Sequence, residues 1–138
     1  MTSLLEYLSS ENNGSGFVPA VGELDPTFGS GGIVTTNIGG SYDEARAIAI
    51  QPNDEKILVA GFSNAYGTDD FALVRYNSDG SLDTSFDTDG IVTTNIISGS
   101  YEGAYAIAIQ PNGKILVTGF TGPVDNSNTD IFVIRYFQ

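Results

Sequence analysis

The stretch Ala47-Ile-Ala-Ile-Gln-Pro-Asn53 returns as Ala106-Ile-Ala-Ile-Gln-Pro-Asn112, and its flanks return with it. Downstream, Lys56-Ile-Leu-Val-Ala-Gly-Phe62 recurs as Lys114-Ile-Leu-Val-Thr-Gly-Phe120, and Asp70-Phe-Ala-Leu-Val-Arg-Tyr76 as Asp130-Ile-Phe-Val-Ile-Arg-Tyr136. Upstream, Leu24-Asp-Pro-Thr-Phe28 matches Leu82-Asp-Thr-Ser-Phe86, and Gly32-Ile-Val-Thr-Thr-Asn-Ile38 matches Gly90-Ile-Val-Thr-Thr-Asn-Ile96. The offset stays between 58 and 60 residues, so insertions fall between the blocks and not inside them. One structural unit is used twice, with length changes confined to its loops. The repeats run 24–81 and 82–138, with a separate segment 1–23 before them.

Each repeat holds four short runs rich in Ile, Val, Thr, Phe and Tyr, bounded by Gly, Pro, Asn, Asp or Ser. That pattern predicts strands joined by turns. The strands are expected at 33–38, 45–51, 56–62 and 70–76, then at 91–96, 104–110, 114–120 and 131–136. Asn112-Gly113 reads as a two-residue hairpin turn with positive φ at both positions. Several runs, such as Ile57-Leu-Val-Ala60, are apolar on both faces, so each sheet must be covered on both sides. Stacking the sheets radially as β-propeller blades covers them and leaves only short edges. The Ala-Ile-Ala-Ile run suits the innermost strand, with Ala47 and Ala49 facing one neighbour and Ile48 and Ile50 the other. The expected fold is all-β, with two four-stranded antiparallel blades per chain.

These blocks resemble the delta-60 repeat, a bacterial propeller-type repeat of uncharacterised function. The resemblance rests on Ala47–Phe62, Asp70–Phe86 and Gly90–Thr94, and again on Ala106–Phe120 and Asp130–Tyr136. It implies a β-propeller and carries over no catalytic residue. Members of that family usually hold many repeats, and this chain holds two.

Composition narrows the chemistry. Cysteine, histidine and tryptophan are absent. Thiolate nucleophiles, disulfides, histidine triads and histidine-ligated zinc sites are therefore excluded. Seventeen acids against five bases give a net charge of −12, which disfavours nucleic acid and anionic membranes as partners. No run approaches the roughly 18–20 apolar residues needed to span a bilayer. Met1–Ser10 lacks the basic leader of a secretory signal. The acidic, cysteine-free repeats suit a bacterial exterior or cell surface.

Two blades cannot close a ring, since propellers use about four to eight. Strand 91–96 follows 70–76 and should pair with it. By the same logic 33–38 should pair with a strand like 131–136, at the far end of another copy. A homo-oligomer follows, joined through 33–38 of one chain and 131–136 of the next. Three chains would make six blades and are favoured, and four would make eight. The alternative is a fragment of a longer protein with exposed blade faces.

Candidate sites each have an architectural reading beside the functional one. Arg75 and Arg135 recur at one strand end, and structural pairing with a repeated aspartate such as Asp70, Asp130, Asp83 or Asp25 is preferred over ligand contact. Asn77, Asp79 and Asp83 have a spacing like a calcium loop, but they are also ordinary turn residues, and no cofactor is expected. Tyr42, Tyr66 and Tyr101 lie in loops where a ring could stack on a sugar. Adjacent acids at Asp43-Glu44, Asp54-Glu55 and Asp69-Asp70 could serve a glycan-processing acid and base only if two converged. In the segment 1–23, Ser3–Glu6 fits a capping box ahead of a short helix through Leu4, Leu5 and Leu8, and Asn12–Gly16 reads as a linker. The function expected is a non-enzymatic binding or scaffold module. A carbohydrate-binding lectin is the alternative, and an acid/base enzyme the third.

Overall fold

A computed structural model describes residues 20–125 and 127–138. The helix and linker read at 3–8 and 12–16 lie outside the described residues. The described chain is all-β and forms two antiparallel sheets. The first contains β1 (Asp43–Ile50), β2 (Ile57–Ser63), β3 (Asp70–Tyr76) and β4 (Ile91–Thr94), hydrogen-bonded in that order. The second contains β5 (Ser100–Ile109), β6 (Ile115–Pro123) and β7 (Asp130–Tyr136). β4 comes from the second sequence repeat yet completes the first sheet.

The expectation of two four-stranded blades is therefore corrected to one of four and one of three. Residues 34–38 belong to no ladder, and Ile33 makes only isolated bridges, to Gly29 and Ser30 in the adjoining turn. The physical reason is pairing: the edge of β3 is taken by β4, and β7 is the last strand of the other sheet.

The core lies between the sheets. Leu58, Ala60, Phe71 and Leu73 from the first face Ala104, Ile115, Val117 and Phe132 from the second. Phe71 meets Phe132 edge-on at 5.8 Å between ring centroids and stacks on Tyr136 at 6.3 Å. Burial of each large side chain here stabilises by about 1.5–3 kcal/mol, so this seam dominates the packing energy. Cross-strand register puts Ala47 and Ala49 on the seam side of β1, opposite Ala60 and Leu58. Ile48 and Ile50 point to the far face, where they are 69% and 54% exposed.

Each inner strand carries a β-bulge, at Arg46 between Ala45 and Ala47 and at Tyr105 between Ala104 and Ala106. The extra residue lengthens β1 and β5 upstream of the expected starts. It also explains the glycine of each Ile-Leu-Val-x-Gly-Phe block. A Cβ on Gly61 would run into the Glu44 carbonyl, and one on Gly119 into the Gly103 carbonyl.

The Asn112-Gly113 turn differs from its reading. Gly113 has φ 83°, but Asn112 is not in the left-handed region. Gln110 N donates to Lys114 O across a three-residue loop, the type I turn that ends in a left-handed residue. In the first repeat that position is held by Glu55, at φ 57°.

Segment 33–38 is nonetheless placed. Val34, Thr36 and Ile38 are half-buried on the far face of the first sheet, while Ile33, Thr35 and Asn37 are exposed. Thr36 Oγ1 lies 2.6 Å from the Tyr76 hydroxyl, as Thr94 Oγ1 of β4 lies 2.8 Å from that of Tyr136. Ile38 N donates to Asp43 as Ile96 N donates to Glu102. The segment thus lies on the first sheet as β4 and its extension lie on the second.

Candidate binding surfaces

Three surfaces bear the residues singled out from sequence. The first is an ion-pair knot. Arg75 Nε donates to Asp83 Oδ2 at 2.7 Å, Arg75 Nη2 donates to Ser85 Oγ at 3.3 Å, and the guanidinium carbon lies 4.5 Å from the Phe86 ring centroid. Lys56 Nζ lies 3.2 Å from the same Asp83 oxygen. Arg75 and Asp83 are 6% and 4% exposed. Burial alone would push the Asp83 carboxyl up. Hydrogen bonds from Ser85 and Lys56, with the Arg75 charge, outweigh it and hold the group well below the usual carboxylate range.

The calcium candidates sit in or beside this knot, each with at least one side-chain oxygen engaged. Asn77 Oδ1 accepts from Lys56 Nζ at 2.5 Å, and Asp79 Oδ1 accepts from Ser81 N and Oγ. An ammonium group stands where a cation would be drawn, and no three carboxylates converge among the described residues. Asp70 pairs elsewhere, accepting from Asn95 Nδ2 at 3.0 Å and Thr68 Oγ1 at 3.3 Å. Asp130 and Arg135, the repeat counterparts of Asp70 and Arg75, are exposed.

The second surface surrounds the two bulges. Arg46 lies over the rings of Phe62 and Tyr105, at 4.7 and 5.1 Å from their centroids. Tyr105 stacks on Phe120 at 5.4 Å, and Tyr42 leans on Phe62 at 5.6 Å. Glu44 ties the group together, accepting from Arg46 Nε at 2.8 Å and from the Tyr42 hydroxyl at 3.0 Å. Those bonds lower the Glu44 carboxyl and raise the Tyr42 phenol. Nearby Asp69 is raised, first by burial and then by Asp70 and Glu44, against the Arg46 charge. Both Glu44 oxygens are engaged, so the cluster offers stacking surface and charge more than a free base.

Sequence reasoning found Tyr42 here but missed Arg46 and Tyr105. A signal existed. Four of the five bases fall into repeated pairs, Lys56 with Lys114 and Arg75 with Arg135, and Arg46 alone has no basic counterpart. Tyr101, the counterpart of Tyr42, is half-buried in β5, and Tyr66 is 74% exposed in the loop before β3. The three tyrosines do not form one platform, since Tyr42 and Tyr101 stand at matching positions of different sheets.

The third surface is the pair of open ends. On the far face of the first sheet a groove of about 370 Å³ is lined by Val34, Ile48, Val59, Val74 and Tyr76 among others. On the outer face of the second, Ile131 and Val133 of β7 are 85% and 66% exposed, whereas their counterparts Phe71 and Leu73 are fully buried.

Residues 53–86 and 110–138 match the family model described as "Domain of unknown function (DUF5122) beta-propeller". Each matched stretch spans a two-strand hairpin, β2–β3 or β6–β7, and the first also holds the knot from Lys56 to Phe86. No curated protein and no solved structure matches the chain. The match covers less than half of the chain, and together with the two antiparallel sheets it supports a β-propeller-type repeat architecture. Among the described residues, no helix is long and apolar enough to cross a membrane.

Proposed function

We propose that this chain is a non-enzymatic binding or scaffold module whose copies join head to tail into a closed propeller, three chains giving six blades. One observation carries the reading: residues 33–38 are held on the first sheet as an outer blade strand without a ladder, while β7 ends the second sheet with an open edge. Joining copies would place β7 of one beside 33–38 of the next. It would also cover the exposed apolar side chains at both open ends, Ile48 and Ile50 on one and Ile131 and Val133 on the other. The interface is heterologous and closes by rotation.

Ligands would meet the ring at the bulge cluster. The exposed rings of Tyr105, under Arg46, and Tyr42, bonded to Glu44, favour carbohydrate as the second reading, since sugars dock on aromatic faces with polar groups at the rim. Light scattering on the 138-residue chain tests the assembly. Three times the 14.5 kDa chain mass is expected, and 14.5 kDa overturns the reading. A glycan array separates the lectin from the scaffold.

A further inference from the structure

We propose that the turn Leu24–Phe28 of one copy is the acceptor half of a charge latch whose donor half, Arg135 with Lys114, belongs to the next copy. The proposal rests on the head-to-tail ring and names what fixes its register.

The knot around Arg75 supplies the template, because its acid, its two bases, its hydroxyl and its ring recur, Asn77 alone being replaced, by Phe137. Asp25 is built like Asp83. Its Oδ1 accepts from Thr27 N at 2.9 Å and Thr27 Oγ1 at 2.6 Å, as Asp83 Oδ1 accepts from Ser85 N at 3.1 Å and Ser85 Oγ at 2.6 Å. In Asp83 the other oxygen takes Arg75 and Lys56. In Asp25 that oxygen has no partner among the described residues, and the side chain is exposed. Phe28 is half-buried at the rim, whereas Phe86, on which Arg75 stacks, is buried. The donors mirror this. Arg135 is exposed without an ion pair among the described residues, and Lys114 Nζ lies 5.2 Å from the Phe137 ring centroid.

The acceptor turn is also held in place. Gly29 N donates to Asp79 O at 2.7 Å, and Ser30 N to Ile33 O at 2.9 Å, so the turn and the strand it leads into are tied to the first sheet. Within the first sheet the same order runs from Arg75 through the Asp83 turn to β4. A second copy bringing β7 against 33–36 therefore brings Arg135 to Asp25 as the chain itself brings Arg75 to Asp83. The recurrence of the acid, both bases, the hydroxyl and the ring selects a copy of this chain as the occupant. At −12 per chain, copies repel one another, and a matched acid with two bases at each junction opposes that repulsion locally.

Charge reversal tests the latch on the full chain, with assembly followed by sedimentation and folding by circular dichroism. Asp25→Arg and Arg135→Asp should each raise the concentration needed for assembly by at least about a hundredfold. The double variant Asp25→Arg/Arg135→Asp should recover most of it, and Asp54→Arg, an exposed acid in the β1–β2 loop, should match the parent. Should a reversed chain fail to fold, Asp25→Asn and Arg135→Gln give the same comparison with milder losses. Single variants that assemble like the parent overturn the latch and leave the ring intact. A double variant as weak as the singles overturns the pairing. A parent that stays a single chain overturns the ring, and the latch with it.

Discussion

Val34→Pro is expected to dissociate the proposed assembly, and Thr35→Pro, one residue on, to leave it intact. The contrast comes from the β3–β4 ladder. Arg75 N donates to Gly90 O at 2.8 Å, with Val74 opposite Ile91. That makes Val74–Ile91 a non-hydrogen-bonded pair and Leu73–Val92 a hydrogen-bonded one. Carried across the proposed junction, the same register would have Val34 N–H donate to the backbone of Val133 and Thr35 N–H point away from β7. Proline at 34 removes a ladder donor and sets its ring against the neighbouring strand, while proline at 35 occupies the solvent side of an edge strand, where it is tolerated. Leaving the acceptor on β7 unpaired costs about 1–3 kcal/mol at every junction. Because 34–38 makes no ladder within its own chain, both variants should keep the parent's circular dichroism. Sedimentation should then find single chains for Val34→Pro and the parent mass for Thr35→Pro.

Asp83→Ala destabilises the chain by about 3–5 kcal/mol, because it strands the buried Arg75 guanidinium without its counter-ion. Against a typical stability of about 5–15 kcal/mol this is a large share. Urea unfolding measures it. The same carboxylate sets an acid sensitivity. Its pKa is lowered in the folded chain, so its stabilisation is present in full above the ordinary value of 3.8 and is lost as pH falls through the folded-state value. Asp83→Asn should therefore flatten the loss of stability between about pH 4 and 2. Asp25→Ala offers the contrast. Asp25 is exposed, so the single chain should unfold in urea much as the parent does, even though assembly weakens.

The sheets were legible because the repeat fixes which blocks are equivalent, and Ile, Val and Thr between turn residues mark the strands. Arg75 and Arg135 were legible as paired architecture, since so few bases recur at matching places. The bulges were not. An extra residue at Arg46 or Tyr105 leaves alternation on either side intact, and because both repeats carry it at equivalent positions the repeat offset does not betray it. The Asn112-Gly113 turn misled because Asn-Gly fits two loop lengths, and the Gln110–Lys114 hydrogen bond that decides between them follows from the register of β5 on β6. Segment 33–38 reads as a strand by composition. Whether it lies in a ladder depends on a partner that sequence pattern does not place within the same chain.

The pairing of 33–36 with β7 of another copy can be trapped covalently, because the chain has no cysteine of its own. Ile33→Cys with Ile134→Cys occupies the junction counterpart of Ile91–Val74, a non-hydrogen-bonded pair whose Cβ atoms come close enough to bridge. Mild oxidation of the double variant should produce a ladder on a denaturing, non-reducing gel that ends at three chains, and reduction should collapse it to one. Val74→Cys with Ile91→Cys, oxidised alike, should stay a single chain with an internal bridge. Oxidised Ile33→Cys/Ile134→Cys that runs only as one chain, while the Val74→Cys/Ile91→Cys control forms its bridge, contradicts the head-to-tail propeller.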